Sequence, residues 1–279
     1  MGFDVDLRHV TTMACLVFAA CTQGPRLPPW DSDFIRLEET RANLALITQG
    51  WLKASPSMAG HPLVVVIEGD GAAWGRDGTP PSDPTPRSGT GARLAAALAQ
   101  GRSLLYLARP CQYLSVEQTA HCSIHHWTDQ RFGREPLTAL NNLINQVQIK
   151  DHQIILIGFS GGGILAAELA LKRRDVAGLI TVAAPLDLKA WTEVHQISSL
   201  ETIRPDGELL AALAMTDFFQ CHLFGTNDQV VPINMTLRTA RQLPPDTVRW
   251  VDGQEHDDDW LPIVTSALAS MEKKIVATH

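Results

Sequence analysis

Short, mostly apolar segments alternate with helical patterns along most of the chain. The apolar segments are four to seven residues long and lie at 63–67, 104–108, 154–157, 176–182, 221–224 and 248–251. The helical patterns lie at 92–99, 137–147, 164–172, 235–241 and 258–273. This alternation is typical of a parallel sheet with helices on both faces, because its strands are buried from both sides. An earlier pair of segments, 34–38 and 44–48, predicts an antiparallel hairpin at one edge, so we expect an eight-strand, mostly parallel α/β sheet.

The composition is that of an ordinary globular protein, with 279 residues of which 45% are hydrophobic and 19% are charged. We expect one α/β domain at 33–279, because folds of this class often enclose a single core at this length. Lys and Arg number 23 against 30 Asp and Glu, which gives a net charge of −7, and no basic run carries interleaved aromatic residues. Since nucleic-acid surfaces need basic patches, we expect no nucleic-acid partner.

The N-terminal segment has the pattern of a targeting signal. An apolar run at 13–20 follows Arg8 and ends at Cys21. Eight residues are too few for a membrane-spanning helix, which needs roughly 20, and are typical of a cleaved signal. The sequence Phe18-Ala19-Ala20-Cys21 resembles the bacterial lipobox, in which the signal is cut before a cysteine that becomes lipidated.

This resemblance implies a signal peptide at 1–20, a tether at 21–32 and a lipid anchor on Cys21. The protein would then sit in the bacterial cell envelope and face the periplasm, held to a membrane by its lipid. Thr22 after the cysteine favours the outer membrane by the sorting rule of such lipoproteins. The alternative is an N-terminal helix or tail on a cytoplasmic protein.

Three cysteines remain for the folded body. Cys111 and Cys122 are close enough in sequence for a disulfide, which an oxidising envelope compartment permits; two reduced thiols are the alternative. Cys221 lies in an apolar segment and is interpreted as a buried core thiol. No Cys or His spacing indicates zinc, so we expect no metal.

A glycine-flanked serine stands at a predicted strand-to-helix junction. The sequence Gly158-Phe159-Ser160-Gly161-Gly162 follows the segment 154–157 and precedes the helical pattern at 164–172. A G-x-S-x-G motif in this context is typical of a nucleophile elbow, a sharp and strained turn that exposes the serine hydroxyl. The glycines fit because larger side chains would collide with the adjoining strand and helix. With this motif the chain resembles the α/β-hydrolase superfamily; the alternative is a glycine-rich turn with an idle serine.

The resemblance implies an acid after a late strand and a histidine after the last strand, in the chain order Ser, Asp, His. Asp228, in the sequence Gly225-Thr226-Asn227-Asp228-Gln229-Val230-Val231-Pro232, looks like the superfamily's acid loop, and His256 follows the last apolar segment. We predict a catalytic triad of Ser160, His256 and Asp228, in which the imidazole takes the hydroxyl proton and the carboxylate orients the imidazole. A turn-capping aspartate and a surface-loop histidine are the alternatives.

The resemblance also implies two backbone N–H donors for the oxyanion that acyl transfer creates. One is Gly161, directly after the serine. The other belongs to the loop after 63–67, where Glu68-Gly69 replaces the family's His-Gly pair and aligns the second donor with Asp70; Gly71 is the alternative. The same glycine-containing stretch lacks the third glycine and the following helix of a dinucleotide site, so we expect no cofactor.

A segment at about 185–218, between the sixth and seventh strands, lies where the superfamily inserts a cap. Its many charged residues and its single short apolar stretch predict a small cap rather than a lipase lid. Three tryptophans are candidates for the pocket wall, with core packing as the alternative: Trp74, Trp127 and Trp191. Three histidines are interpreted as polar lining or surface residues rather than catalysts: His125, His126 and His195.

These features predict a cofactor-free serine hydrolase that cleaves small, soluble carboxylic esters through an acyl-enzyme. An amidase, thioesterase or acyltransferase with the same triad is the alternative, because the triad does not choose the leaving group or the acceptor. A non-catalytic scaffold protein of the envelope is the alternative from a different class. The acidic run at 257–259 is interpreted as the first turn of the last helix, where the helix dipole favours negative charge, rather than as a metal site.

Overall fold

The computed structural model describes residues 28, 30, 33–55, 61–75, 77–147 and 153–278. Within this part the strands are β1 (Ile35–Arg41), β2 (Leu46–Lys53), β3 (Leu63–Ile67), β4 (Leu104–Leu107), β5 (Ile154–Phe159), β6 (Val176–Val182), β7 (Phe219–Gly225) and β8 (Val248–Val251). The α-helices are α1 (Thr90–Leu98), α2 (Val116–Thr119), α3 (Arg134–Gln146), α4 (Gly161–Lys172), α5 (Leu188–His195), α6 (Glu208–Leu213), α7 (Ile233–Ala240) and α8 (Leu261–Ala277). The strands form one sheet in the order β1-β2-β4-β3-β5-β6-β7-β8, which confirms the predicted eight-strand sheet.

One strand runs against all the others. β2 pairs antiparallel with both β1 and β4, whereas every neighbouring pair from β4 through β8 is parallel. Each connection between successive parallel strands contains at least one helix, because parallel strands need a crossover. The carboxyl ends of these strands therefore meet at one edge of the sheet, where ligand sites of open α/β sheets lie.

The alternating side chains of β3 divide the core into two layers. Val64 and Val66 belong to a layer that α1 and α8 complete, and the other three residues of the strand belong to a layer built with α3, α4 and α6. All five side chains are buried. Burial on both faces explains why the segment is apolar throughout, since each such side chain stabilises the fold by about 1.5–3 kcal/mol.

The edge hairpin is longer than predicted. β1 extends to Arg41 and β2 runs from Leu46 to Lys53, with Ile35 opposite Leu52, whereas the expected strands were 34–38 and 44–48. Most side chains of β1 are exposed or half-buried, because it is the edge strand. An exposed strand carries little apolar signal, so its end could not be seen in the pattern.

Two other boundaries differ from expectation. Trp30 falls within the predicted tether, yet its ring stacks on Phe34 with centroids 4.7 Å apart and meets Tyr106 edge-on at 4.8 Å, so the folded domain includes it. The acidic run at 257–259 precedes α8, which begins at Leu261, so it is not the first helical turn. Instead, carboxylates of this run accept hydrogen bonds from backbone N–H groups of the preceding turn and of the helix start.

Of the three cysteines in the folded body, two form a disulfide and one is free. Cys111 and Cys122 form a disulfide with Cα atoms 6.1 Å apart. Cys221 is a free, buried thiol, which confirms its interpretation as a core residue, and burial raises its pKa. Cys21 and the predicted signal peptide lie outside the described residues. No helix in the described ranges is long and apolar enough to cross a membrane.

A buried histidine in β7 gives a prediction about pH. His222 is fully buried, with Nδ1 2.9 Å from the hydroxyl of Thr181 and Nε2 3.1 Å from the amide oxygen of Gln220. The hydroxyl donates to Nδ1 and Nε2–H donates to the amide oxygen, so the neutral ring has both partners. Burial lowers its pKa from 6.5 to about 3.

In the unfolded chain the imidazole of His222 binds a proton near pH 6.5, whereas in the folded chain it does so only near pH 3. The contribution of the neutral ring to the free energy of unfolding is therefore fully present above about pH 6.5 and decreases as the pH falls toward 3. At pH 4 the loss is about 3 kcal/mol. We expect the free energy of unfolding of His222→Gln to fall less between pH 7 and pH 4 than that of the wild type, by about that amount. Urea unfolding at the two pH values measures it, and an identical loss in both proteins would contradict the prediction.

Candidate active site

Ser160 occupies a sharp turn between β5 and α4. Its backbone has φ +50° and ψ −126°, in the left-handed half of conformational space that non-glycine residues rarely adopt. The turn is tight because strand and helix nearly touch. A Cβ atom on Gly158 would collide with the backbone of Gly162, and a Cβ on Gly162 would collide with the carbonyl oxygen of Glu68. These contacts give the physical reason for both glycines.

Three side chains from the carboxyl ends of three strands form a hydrogen-bonded chain. The Oγ of Ser160 lies 3.0 Å from Nε2 of His256, and Nδ1 of His256 lies 2.8 Å from Oδ2 of Asp228. They follow β5, β8 and β7, respectively. Asp228 is 2% exposed and His256 is 9% exposed, so water competes little for their hydrogen bond. The structure thus brings together the three residues that were predicted as a triad.

Local hydrogen bonds hold the acid and the histidine in place. The second carboxylate oxygen of Asp228 accepts from the N–H groups of Val230 at 2.8 Å and Val231 at 2.7 Å. This leaves Oδ2 for the imidazole. The carbonyl of His256 accepts from the indole N–H of Trp260 at 3.0 Å, and Trp260 is fully buried. The sequence pattern did not single out Trp260, because a buried tryptophan before a helix looks like ordinary core.

The two predicted oxyanion donors belong to segments that approach each other closely. Gly161 is the first residue of α4, so its N–H has no acceptor within the helix. Among the described residues, neither this N–H nor that of Asp70 donates to a protein acceptor. A Cβ on Gly161 would collide with the Asp70 carboxylate, which shows how closely the loop after β3 approaches the start of α4. Both residues therefore lie where the loop after β3 meets the start of α4.

The carboxylate of Glu68 accepts four hydrogen bonds. Oε1 accepts from the N–H groups of Gly69 and Gly91, both at 2.9 Å. Oε2 accepts from the N–H of Ala92 at 2.8 Å and from the hydroxyl of Tyr106 at 2.9 Å. Burial raises the pKa of Glu68, while these four donors favour the charged form. The side chain therefore ties the loop after β3 to the N-terminus of α1, where negative charge is stabilised.

Two buried arginines donate hydrogen bonds to the Asp70 carboxylate. Oδ1 accepts from Arg109 and Oδ2 from Arg131, both at 2.7 Å. Burial alone would raise the pKa of Asp70, but the charges of Arg131 and Arg109 outweigh it and lower the pKa below its usual value. Sequence reasoning missed both arginines. They lie in connections far along the chain from Asp70, so no local spacing could have indicated the contact.

A cleft of about 530 Å³ opens beside Ser160 and His256. Its walls come mainly from the connection between β3 and α1, including Trp74, which is half exposed. Of the residues 185–218, all of which are described, Trp191 alone lines the cleft. The other helix of this segment, α6, packs on α4 within the core. The predicted cap is therefore a small insertion that contributes one wall residue.

The remaining candidate aromatic and histidine residues have structural partners. Trp127 is buried beside Cys111 and Leu114, so its alternative as core packing holds. The carbonyl of Val230 accepts from the indole of Trp191 at 2.7 Å and lies 2.8 Å from a ring nitrogen of His195. His125 pairs with Asp129 and His126 with the carbonyl of Leu44. In the described part of the chain, no three His, Cys, Asp or Glu side chains form a group that could hold a metal ion.

Several solved structures have a similar architecture. No family model matches the chain, and no curated protein matches it. Est1E from Butyrivibrio proteoclasticus is similar in structure at 14% identity, with a TM-score of 0.55 over 87% of this chain and 99% of that one. An esterase from Pyrococcus furiosus has 11% identity and a TM-score of 0.57 over 91% and 96% of the two chains. An α/β hydrolase from Penicillium has 13% identity and a TM-score of 0.54 over 88% and 98%.

Proposed function

We propose that this chain, which has the α/β-hydrolase fold, is a serine hydrolase that cleaves carboxylic esters through an acyl-enzyme. The observation that carries the proposal is the hydrogen-bonded chain from Ser160 through His256 to Asp228, at the carboxyl edge of the sheet and open to a cleft. A strained backbone at Ser160 adds to it, because such strain persists where surrounding structure enforces it, often at functional sites.

The geometry supports acyl transfer in two steps. In the first, Nε2 of His256 takes the hydroxyl proton as Oγ of Ser160 bonds to the ester carbonyl carbon, and Asp228 stabilises the imidazolium. The oxyanion accepts hydrogen bonds from the N–H groups of Gly161 and Asp70. When the carbonyl reforms, the C–O bond to the alcohol breaks and His256 returns the proton to the leaving oxygen. In the second step, water attacks the acyl-enzyme by the same route, releasing the acid and restoring Ser160.

Structural relatives support an ester substrate. The similar protein from Pyrococcus furiosus is described as an esterase. Another structure of Est1E holds ferulic acid, a carboxylic acid, which is the kind of product that ester hydrolysis releases. Trp74 and Trp191 on the cleft wall of this chain offer flat apolar surface for an acyl or alcohol group.

A matched panel tests the reaction class. The p-nitrophenyl ester, the thioester and the p-nitroanilide of butyric acid share one acyl group and differ in the leaving atom. We expect measurable kcat/KM on the ester and a value lower by at least about tenfold on the other two. A higher value on the thioester or the anilide would favour the thioesterase or amidase alternative. No turnover of any member, with no labelling by a serine-reactive phosphonate, would favour a non-catalytic scaffold.

We expect a preference for short acyl chains. Each buried CH₂ group contributes at most about 0.8 kcal/mol, and only where apolar wall is present to cover it. Here the insertion at 185–218 contributes Trp191 alone, while charged residues Asp70, Arg87 and Arg131 share the lining. For p-nitrophenyl esters from acetate to palmitate, kcat/KM should peak at roughly four to eight acyl carbons, with no rate increase above the critical micelle concentration. A maximum at palmitate would contradict this.

We also propose that a lipid anchor on Cys21 attaches the protein to a membrane of the cell envelope. It rests on the apolar run ending in Ala19-Ala20-Cys21, with Thr22 after it. Expressed in a Gram-negative host, the protein should incorporate labelled palmitate and fractionate with the outer membrane, and Cys21→Ala should lose both properties. Cys15→Ala is the matched control, because that residue would leave with the signal peptide. An unlabelled wild type in the cytosol would contradict the envelope proposal.

A further inference from the structure

The Asp70 carboxylate stands where a negative charge opposes the proposed reaction. It is close enough to Gly161 that a Cβ on that glycine would collide with its Oδ1. Gly161 is a proposed donor to the oxyanion, and like charges at short range in a partly buried site repel strongly. The carboxylate is also 21% exposed, so it borders the cleft. An unneutralised charge here would raise the barrier that the oxyanion hole lowers.

The structure neutralises this charge with two rigid guanidinium groups. Arg109 and Arg131 have side chains only 4% and 3% exposed, and each gives one oxygen of Asp70 a 2.7 Å hydrogen bond. Arg109 also donates to the carbonyl of Arg131 at 2.6 Å, and Arg131 donates to the carbonyl of Thr128 at 2.7 Å. Both groups lie over the ring of Phe132. The two cations therefore have fixed positions before any substrate arrives.

A third residue fixes the backbone of the same loop. The side-chain amide of Gln112, which is fully buried, donates to the carbonyl oxygens of Gly69 at 3.1 Å and Asp70 at 3.2 Å. Its own oxygen accepts from the backbone N–H of Arg109 at 3.1 Å. Cys111, directly before Gln112, is tied to Cys122 by the disulfide. The peptide units on both sides of the Asp70 Cα are thus held from a cross-linked segment.

We propose that Arg109, Arg131 and Gln112 are positioning residues for the oxyanion hole. The two arginines outweigh the single negative charge of Asp70, so the group beside the oxyanion carries a net positive charge. Gln112 holds the peptide planes so that the N–H of Asp70 faces the oxyanion. This inference rests on the proposed serine hydrolase function. Arg109 and Gln112 do not line the cleft, and the side chain of Arg131, which does, is only 3% exposed. Loss of these residues should therefore weaken binding of the transition state more than binding of the ground state.

The proposed role of the arginines is tested by removing the charge of Arg131 and then also removing the charge of Asp70. We expect Arg131→Gln to lower kcat for p-nitrophenyl butyrate about 100-fold, on the scale of losing an oxyanion donor, with KM within about threefold. Butylboronic acid, whose adduct with the serine Oγ is a tetrahedral anion, should bind about 100-fold more weakly. Arg109 still pairs with Asp70 in this variant, so the net charge of the group falls from +1 to zero. Adding Asp70→Asn restores a net charge of +1 and should recover at least tenfold in both measurements. A merely structural role would give no recovery.

Arg173→Gln is the matched control. Arg173 also grips a carboxylate with two hydrogen bonds, to Asp175 at 2.9 and 2.7 Å, but it lies at the opposite end of α4 from Ser160. Its kcat and boronate affinity should stay within about twofold of wild type. Gln112→Met keeps the side-chain length and removes all three hydrogen bonds of the amide. It should lower kcat and boronate affinity in parallel by about tenfold, and it tests the proposal even if Arg131→Gln does not fold.

The outcomes separate this proposal from the function on which it rests. An active wild type with unchanged kcat in the folded Arg131→Gln or Gln112→Met proteins would overturn the positioning role alone. So would a double variant no better than Arg131→Gln, or a loss that appears wholly in KM. A wild type that neither hydrolyses the ester nor binds the boronate would overturn the serine hydrolase proposal and the positioning role with it.

Discussion

Ser160→Ala is expected to lower kcat/KM for p-nitrophenyl butyrate by about 10⁵-fold or more while leaving the Tm nearly unchanged. Without Oγ there is no nucleophile for His256 to activate, and the members of a triad act as a unit, so what remains comes from binding and the oxyanion donors alone. The side chain is small and borders the cleft, so its removal leaves no cavity in the core. Initial rates with the ester and thermal unfolding measure both quantities.

Ser88→Ala is the matched control for this loss. Ser88 lines the same cleft but has no hydrogen bond to His256 in the described structure. Its kcat/KM should stay within about fivefold of wild type, because it takes no part in the proposed proton transfer. Retained activity in Ser160→Ala would move the nucleophile to another residue.

Asp228→Asn is expected to lower kcat by about 10³- to 10⁴-fold with little change in KM. The amide keeps the shape of the carboxylate, but its NH₂ group competes with Nδ1–H for the donor role and favours the wrong imidazole tautomer. It also removes the charge that stabilises the imidazolium. Because Oδ1 accepts from Val230 and Val231, the loop itself should keep its conformation when the amide oxygen takes that place. Steady-state kinetics and circular dichroism check the two parts.

Asp252→Asn controls for loss of one negative charge nearby. Asp252 is exposed, lies in the turn after β8 and accepts a hydrogen bond from the hydroxyl of Thr226 rather than from the histidine. Its kcat should remain within about twofold of wild type. Equal losses in the two variants would contradict a specific role for the hydrogen bond between Asp228 and His256.

The sheet was predictable because its central strands are buried on both faces. β3 and β6 have the predicted bounds, since the apolar run and the strand end at the same residues. The edge hairpin was found but misplaced, because exposed strand residues of β1 are free to be polar. Helices α3 and α4 begin earlier than predicted. The first turn of α3 contains Arg134 and Glu135, and the first turn of α4 contains three glycines, so neither turn shows the apolar pattern of a helix.

The candidate site was predictable where a local motif carries it. Ser160, Asp228 and His256 each stand directly after a strand, and a parallel sheet brings such positions to one edge. The partners that hold them were not predictable, because Arg109, Arg131 and Gln112 reach Asp70 only through the folded arrangement of distant connections. The same holds for Glu68, whose four donors come from three separate segments.

The cleft wall was the least predictable part. The insertion at 185–218 lies in the sequence where a cap is expected, yet α6 packs on α4 through Leu209, Leu210 and Leu213. The glycine- and proline-rich loop after β3 supplies wall residues instead, including Trp74 and Pro86. The sequence of this loop contains no period that tells which side chains face the site.

The most direct test is to identify the residue that a fluorophosphonate labels in the native wild-type protein. Trypsin releases the segment 151–172, in which Ser160 is the single hydroxyl-bearing residue, so mass spectrometry of this peptide assigns the adduct without ambiguity. We expect one phosphonate per chain, located on this peptide, and none after heat denaturation or in His256→Ala, because the unactivated hydroxyl is a poor nucleophile. A label on another peptide, or no label on a protein that hydrolyses esters, would contradict Ser160 as the nucleophile.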